Sequence, residues 1–182
     1  MPLRKIVVIG PESTGKSTIC QQLAEYYKTA WVPEFARKYL LSLDRPYTYE
    51  DLLLIAKGQL EDEDRHAASS KNSLLFIDTD MYVMKVWCEF VFGKCHPFIL
   101  DQIVKRRYDA YLLCNNDLPW VADELREYPD LESREKLFHI YRDLMINQQT
   151  AWTEISGDYN QRFLKALDVT NKIIEENPEV IF

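Results

Sequence analysis

The sequence predicts an α/β fold in which a parallel sheet is covered by helices on both faces. Three observations predict it. Strand-like and helix-like patterns alternate along the chain, the order that builds a parallel sheet. The first strand candidate, Ile6-Val7-Val8-Ile9, is apolar and β-branched throughout, as in a strand buried on both faces. A glycine-bearing loop then leads into helical spacing, with Ile19, Leu23 and Tyr26 at i, i+4 and i+7.

Residues 4–9 read as the first strand and 16–28 as the first helix. Thr29 to Val32 reads as a short second strand, stopped by Pro33. Residues 34–43 are helical by the spacing of Phe35, Tyr39 and Leu43, and Asp44-Arg45-Pro46 breaks the chain. A long helix follows over about 50–69. Ser73 to Asp78 is a buried strand with an acid at its end. Residues 80–92 form a strongly apolar helix with Tyr82, Trp87 and Phe90, and 97–107 a further helix opened by Pro97. Ala110 to Cys114 is a strand, and 115–132 are polar, acidic and irregular. Residues 133–150 are helical, 153–156 a short strand and 159–176 the last helix. The five strands, with no repeat or composition break, predict one domain over residues 1–182.

The loop itself, Gly10-Pro11-Glu12-Ser13-Thr14-Gly15-Lys16-Ser17-Thr18, has the spacing G-x-x-x-x-G-K-S. Between a strand and a helix this pattern forms a phosphate cradle. Backbone N–H groups wrap the phosphates of ATP, the lysine reaches the β- and γ-phosphates, and the serine hydroxyl ligates Mg²⁺. Lys16 and Ser17 take those parts, and the helix dipole adds positive potential at the same place.

Composition removes other classes. The 182 residues carry a net charge of −7, against a nucleic-acid backbone as partner. Lys105-Arg106-Arg107 is the one basic run, read as a helix C-terminus meeting its dipole and solvent. No apolar run approaches the roughly 20 residues that span a bilayer. The N-terminal apolar stretch is too short for a signal peptide. Cys20, Cys88, Cys95 and Cys114 form no C-x-x-C pair and read as reduced thiols, which points to the cytoplasm. Cys95-His96 lacks the partner pair that a zinc site needs. A GTPase is disfavoured: Asp78 opens no D-x-x-G switch, and Asn115-Asn116-Asp117 lacks the lysine of N-K-x-D.

In such sheets ligands gather at the carboxyl ends of the strands. Asp78, closing an apolar strand, is expected to hold Mg²⁺, and it or Glu34 to act as the base on an acceptor hydroxyl. Asp80 is expected to cap the next helix and to face the site. Glu34, just past the second strand, is positioned to bind or deprotonate an acceptor hydroxyl. Arg37, one turn on, is read as pairing with Glu34 or contacting phosphate. Gln59 is a candidate for reading a base or amide, and Trp87 for an aromatic wall. The segment from Asn115 to Arg126, with Trp120 in it and Arg134 beyond, reads as a lid whose arginines close over the triphosphate and exclude water.

These residues together resemble the ribosylnicotinamide kinase domain of NadR-type proteins, a P-loop kinase of the AAA_28-like ATP-binding family. The resemblance is carried by the Gly10–Ser17 loop, Glu34-Phe35-Ala36-Arg37, Gln59 and Phe76-Ile77-Asp78-Thr79-Asp80. It continues through Tyr108–Leu113, Asn116-Asp117-Leu118-Pro119-Trp120-Val121-Ala122-Asp123 and Asp158–Phe163. It implies a five-stranded, nucleoside-kinase-like P-loop fold with a lid, and transfer of the ATP γ-phosphate to the 5′-hydroxyl of nicotinamide riboside. It places Gly157 to Arg162 beside the adenine and Trp120 to Arg126 in the lid. It leaves out the adenylyltransferase half, so a standalone kinase domain is the expectation. A cationic pyridinium acceptor suits an acidic chain with Trp31, Trp87 and Trp120 near strand ends or the lid. The same motifs are compatible with another nucleoside or nucleotide kinase, or with an ATPase or switch module.

Overall fold

The computed structural model describes residues 2–175. Five strands alternate with seven helices in those residues: β1 (Arg4–Ile9), α1 (Lys16–Tyr27), β2 (Trp31–Val32), α2 (Phe35–Leu41), α3 (Tyr49–Ser69), β3 (Leu74–Asp78), α4 (Met81–Phe92), α5 (Pro97–Lys105), β4 (Ala110–Cys114), α6 (Leu131–Asn147), β5 (Trp152–Ile155) and α7 (Tyr159–Glu175). The sheet has the order β2-β3-β1-β4-β5 and every pairing is parallel. β1 is central, so the loops leaving β1, β3 and β4 open side by side at one sheet edge.

The pleat of β1 explains the two-layer core. Ile6 and Val8 face one side, Val7 and Ile9 the other, and all four are fully buried. Ile6 and Val8 pack with Phe76, Leu112 and Ile155 beneath Ile19, Leu23 and Ala166 of α1 and α7. Val7 and Ile9 pack with Ile77 and Leu113 beneath Val83 and Val86 of α4 and Leu137 and Tyr141 of α6. Each such aliphatic side chain contributes roughly 1.5–3 kcal/mol of burial. A third cluster joins α2, α3, α4 and α5 around Leu52, Ile55, Met84 and Ile99.

Some boundaries differ from the sequence reading, each for a local reason. β2 is two residues long because Thr29 is spent closing α1, its N–H on Ala24 and its hydroxyl on the Leu74 carbonyl. α5 ends at Lys105. Arg106 leaves the helix to pair with Asp64 and Glu63, and Arg107 donates to the Val104 carbonyl. α6 starts at Leu131, two residues early, because Asp130 caps it by accepting from Ser133 N–H at 2.7 Å. Position 176, expected in the last helix, lies outside the described residues. The four cysteines are free, and His96 stacks on Tyr49. Among the described residues no helix is long and apolar enough to cross a membrane.

Candidate active site

The cradle is built by close packing at the end of β1. Gly10 has φ 140°, and a Cβ there would lie 2.6 Å from the Cys114 carbonyl oxygen of β4. Only glycine lets the loop start so close to its neighbouring strand. Ser13 and Gly15 follow in the left-handed region, at φ 58° and 80°, the conformations from which anion nests are made. The Pro11 carbonyl holds the loop's interior by accepting from the Thr14 hydroxyl at 2.7 Å and the Lys16 ammonium at 2.9 Å.

Two buried side chains fix this loop from behind. Arg162, fully buried on α7, donates to the carbonyls of Gly157, Thr14 and Asn115 and to the Asp117 carboxylate. Its charge is committed to backbone and to Asp117, so it holds the cradle's shape and faces no cavity. Asp117 also accepts from Gly157 N–H at 2.6 Å, joining the β4 and β5 loops. Arg134 on α6 likewise donates to the Asn116 and Leu118 carbonyls rather than to an open phosphate site.

The strand-end acids come next. Asp78 is fully buried, and its Oδ2 accepts from the Ser17 hydroxyl at 2.5 Å. Burial, with Glu34 nearby, pushes its carboxyl well above the ordinary range, against the pull of Lys16 and the hydroxyl bonds. A buried carboxylate whose bonded partners are hydroxyls is short of positive charge. The pair therefore fits a hard divalent cation such as Mg²⁺, which takes one or two protein oxygens and completes its shell with phosphate and water. Among the described residues there is no cluster of three or more His, Cys, Asp or Glu side chains that could hold a metal ion.

Asp80 caps α4, accepting from Tyr82 and Val83 N–H, and its other oxygen accepts from the buried Tyr111 hydroxyl at 2.8 Å. Burial raises it to about 7. Every bond it makes points into the core, so of the two expected roles the structure shows the cap. Gln59 is a larger correction. It lies buried behind the site, its amide N–H₂ on the Asp78 and Thr79 carbonyls and its oxygen on Phe35 N–H. All of its donors and its acceptor go to backbone, so none is left to read a ligand. It ties the loop carrying Glu34 to the loop carrying Asp78 and braces Thr79, a β-branched residue strained at φ 77°. Gly58 makes the contact possible, since a Cβ there would sit 2.3 Å from the Phe35 ring.

The cavity has a volume of about 370 Å³ and runs from the cradle, with Lys16 and Ser17, to Asp78, Glu34 and Arg37. Its far wall is aromatic: Trp31, Tyr47, Trp87, Phe90, Tyr128 and Tyr141. Trp87 joins this wall, its indole N–H on the Tyr47 hydroxyl at 3.0 Å and the two rings edge to face. Trp120 lies outside the lining, its ring near the Arg126 and Arg134 guanidiniums at 5.9 and 5.7 Å.

The lid crosses the mouth as irregular chain between β4 and α6. Leu125, Arg126, Glu127 and Tyr128 line the cavity. Beyond the bonds of Arg134 and Arg162 to its start, further contacts hold the outer part of this segment. Val121 N–H donates to the Ser13 hydroxyl. Arg37 pairs bidentately with Asp123. Glu127 and Tyr128 N–H donate to Glu12, and the Tyr47 hydroxyl donates to Glu127. Arg37 thus partners the lid rather than Glu34. The sequence reading missed Tyr47 and Tyr128, and the aromatic residues flanking Pro46 and Pro129 were the available signal.

Fold and site together define a P-loop nucleotide-binding protein of the nucleoside-kinase architecture. The chain belongs to the AAA_28 family of AAA domains, whose pattern matches residues 5–162. It is 29% identical over 179 residues to the trifunctional NAD biosynthesis/regulator protein NadR of Escherichia coli, covering 96% of this chain and 43% of that protein. The chain thus spans less than half the length of these curated relatives. Its fold matches a NadR protein crystallised in complex with NR, with a TM-score of 0.80, 24% identity, and coverage of 94% of this chain and 51% of that one. It also matches thymidylate kinase from Ehrlichia chaffeensis, with a TM-score of 0.65 and 14% identity over 93% of this chain and 100% of that one.

Proposed function

We propose that this chain is an ATP-dependent kinase that moves the γ-phosphoryl group of ATP to the 5′-hydroxyl of nicotinamide riboside, forming the mononucleotide. The observation that carries the reading is one cavity that joins a phosphate cradle to a carboxylate-bearing aromatic chamber. Phosphoryl transfer asks for positioning and charge neutralisation more than covalent help. Lys16 and the loop amides hold the β- and γ-phosphates. Ser17 and Asp78 would hold Mg²⁺, which would supply neutralisation of the phosphate oxygens. Glu34 and Asp78 both line the cavity, but Asp78 is bonded to Ser17 beside the cradle, which favours Glu34 as the residue that orients the acceptor hydroxyl and takes its proton. Arg126, on the lid, meets the charge that develops on the transferring group.

The wall supports this acceptor. Glu12, Glu34, Asp78 and Glu127 line the same space as Trp31, Tyr47 and Trp87. Acids and π-faces together favour a flat cation, each cation–π contact contributing about 0.5–2 kcal/mol. The pyridinium of nicotinamide riboside has that character, and the likeness to NadR proteins supports it. The test is ADP release from Mg-ATP with nicotinamide riboside, with deoxynucleosides, or with no acceptor. Nicotinamide riboside should give the highest kcat/KM. Preference for a neutral deoxynucleoside, or release indifferent to every acceptor, overturns the assignment.

A further inference from the structure

Glu12 is out of place in a loop that binds a polyanion. A carboxylate among amides arranged for phosphate repels the ligand, so its presence calls for another partner. The structure supplies one. Glu12 Oε1 accepts from Glu127 N–H at 2.9 Å and from Tyr128 N–H at 2.5 Å, and Oε2 lies 3.2 Å from Glu127 N–H. These donors follow Arg126 directly in the chain, and Arg126 lines the cavity beside Lys16 and Ser17. The neighbouring Ser13 accepts from Val121 N–H at 3.1 Å, five residues before Arg126. Two adjacent side chains of the cradle therefore grip the lid on either side of its arginine.

We propose that Glu12 is a positioning residue: it captures the backbone that follows Arg126 and so seats the lid arginine over the phosphate cradle. The carboxylate is bonded to the lid backbone, so it ties the phosphate loop to the lid. Partial burial works against the ionised carboxylate, and the two backbone N–H groups work to keep it ionised. The role rests on the proposed kinase reading only for its kinetic consequence. The grip itself is a property of the chain alone.

The test reads the grip without turnover. The Arg126–Glu127 bond is a tryptic site whose N–H is one of those Glu12 holds, so cleavage there reports lid release. Glu12→Ala, compared with wild type at equal folded fraction by circular dichroism, should be cut at this bond about 10- to 100-fold faster, with or without a non-hydrolysable ATP analogue. Glu12→Gln, which keeps one oxygen acceptor, should fall between. In turnover, Glu12→Ala should lose kcat while the directly titrated affinity for the analogue changes less than about threefold. Cleavage at the wild-type rate in folded Glu12→Ala overturns the proposal. So does loss of analogue affinity with lid protection intact, which would make Glu12 a nucleotide ligand. A wrong acceptor assignment leaves the proteolysis result standing.

Discussion

Arg162 and Arg126 both stand beside the phosphate cradle and hold their charge in opposite ways. Arg162 is fully buried, and its guanidinium is divided among three carbonyls and Asp117. Arg126 is half-buried on irregular chain, leans on the Val121 carbonyl of its own segment and lines the cavity. A buried arginine with every arm bound has nothing left to give a ligand. It fixes geometry, and the folded state depends on it. An arginine resting on a local carbonyl can exchange that bond for a phosphate at little cost. The back of the site is thus stabilised by desolvated charge, and the front by exposed, replaceable contacts.

Removing the buried member should have the largest effect. Arg162→Ala leaves three carbonyls without that donor, at about 1–3 kcal/mol for each acceptor that stays buried and unpaired, while Asp117 keeps the Gly157 N–H. Arg162→Lys should recover little, since one ammonium cannot replace the guanidinium fork. Chemical denaturation of both variants checks this, and a wild-type midpoint for Arg162→Ala would break the contrast. Lys16→Ala should come next. It removes the cradle's cation, which sits on a single carbonyl, so stability should hold while kcat for ADP release falls at least about 100-fold. Undiminished turnover would remove the kinase assignment itself.

Arg126→Ala sharpens the comparison from the front. It should lower kcat about 10- to 100-fold, with thermal unfolding unchanged within a degree or two. A large loss of stability would mean that Arg126, like Arg162, is a structural pin.

The same division explains what the sequence disclosed. The cradle was legible because its chemistry is local. A strand, a G-x-x-x-x-G-K-S loop and a helix lie in sequence order, and Thr14 and Lys16 are both bonded to the Pro11 carbonyl within that stretch, although Gly10 also answers to Cys114 of β4. The strands and most helices were legible for the same reason, through periodicity. A strand-end position for Asp80, a place in the long helix for Gln59 and a resemblance for Arg162 suggest ligand-facing roles, but none of these says where a side chain turns. Each is polar and buried, and each turns to backbone or core partners distant in sequence: Phe35 for Gln59, Tyr111 for Asp80, Thr14 for Arg162. The lid's partners were hidden likewise. Glu12 and Tyr128 stand 116 residues apart, and no local pattern links them.

The smallest effect expected is at the Arg37–Asp123 pair, where the lid meets the acceptor side. The two are bonded at 2.8 and 3.3 Å, yet the Arg37 side chain is 51% exposed. Their mutual hydrogen bonds raise the arginine and lower the aspartate, so the pair stays ionised across the neutral range. Solvent nonetheless screens the pair, and exposed pairs couple by about 0.2–1 kcal/mol. Arg37→Asp and Asp123→Arg should each lower kcat a few-fold by loosening the lid, and the double reversal should recover most of that loss. Half-molar salt should erase the difference between the single variants and wild type, since the Debye length then drops to a few ångströms. Persistence of the Arg37 defect in the reversed pair and in salt would assign the guanidinium to the acceptor. Arg37 would then belong with the ligand-binding groups at the front of the site rather than with its latch.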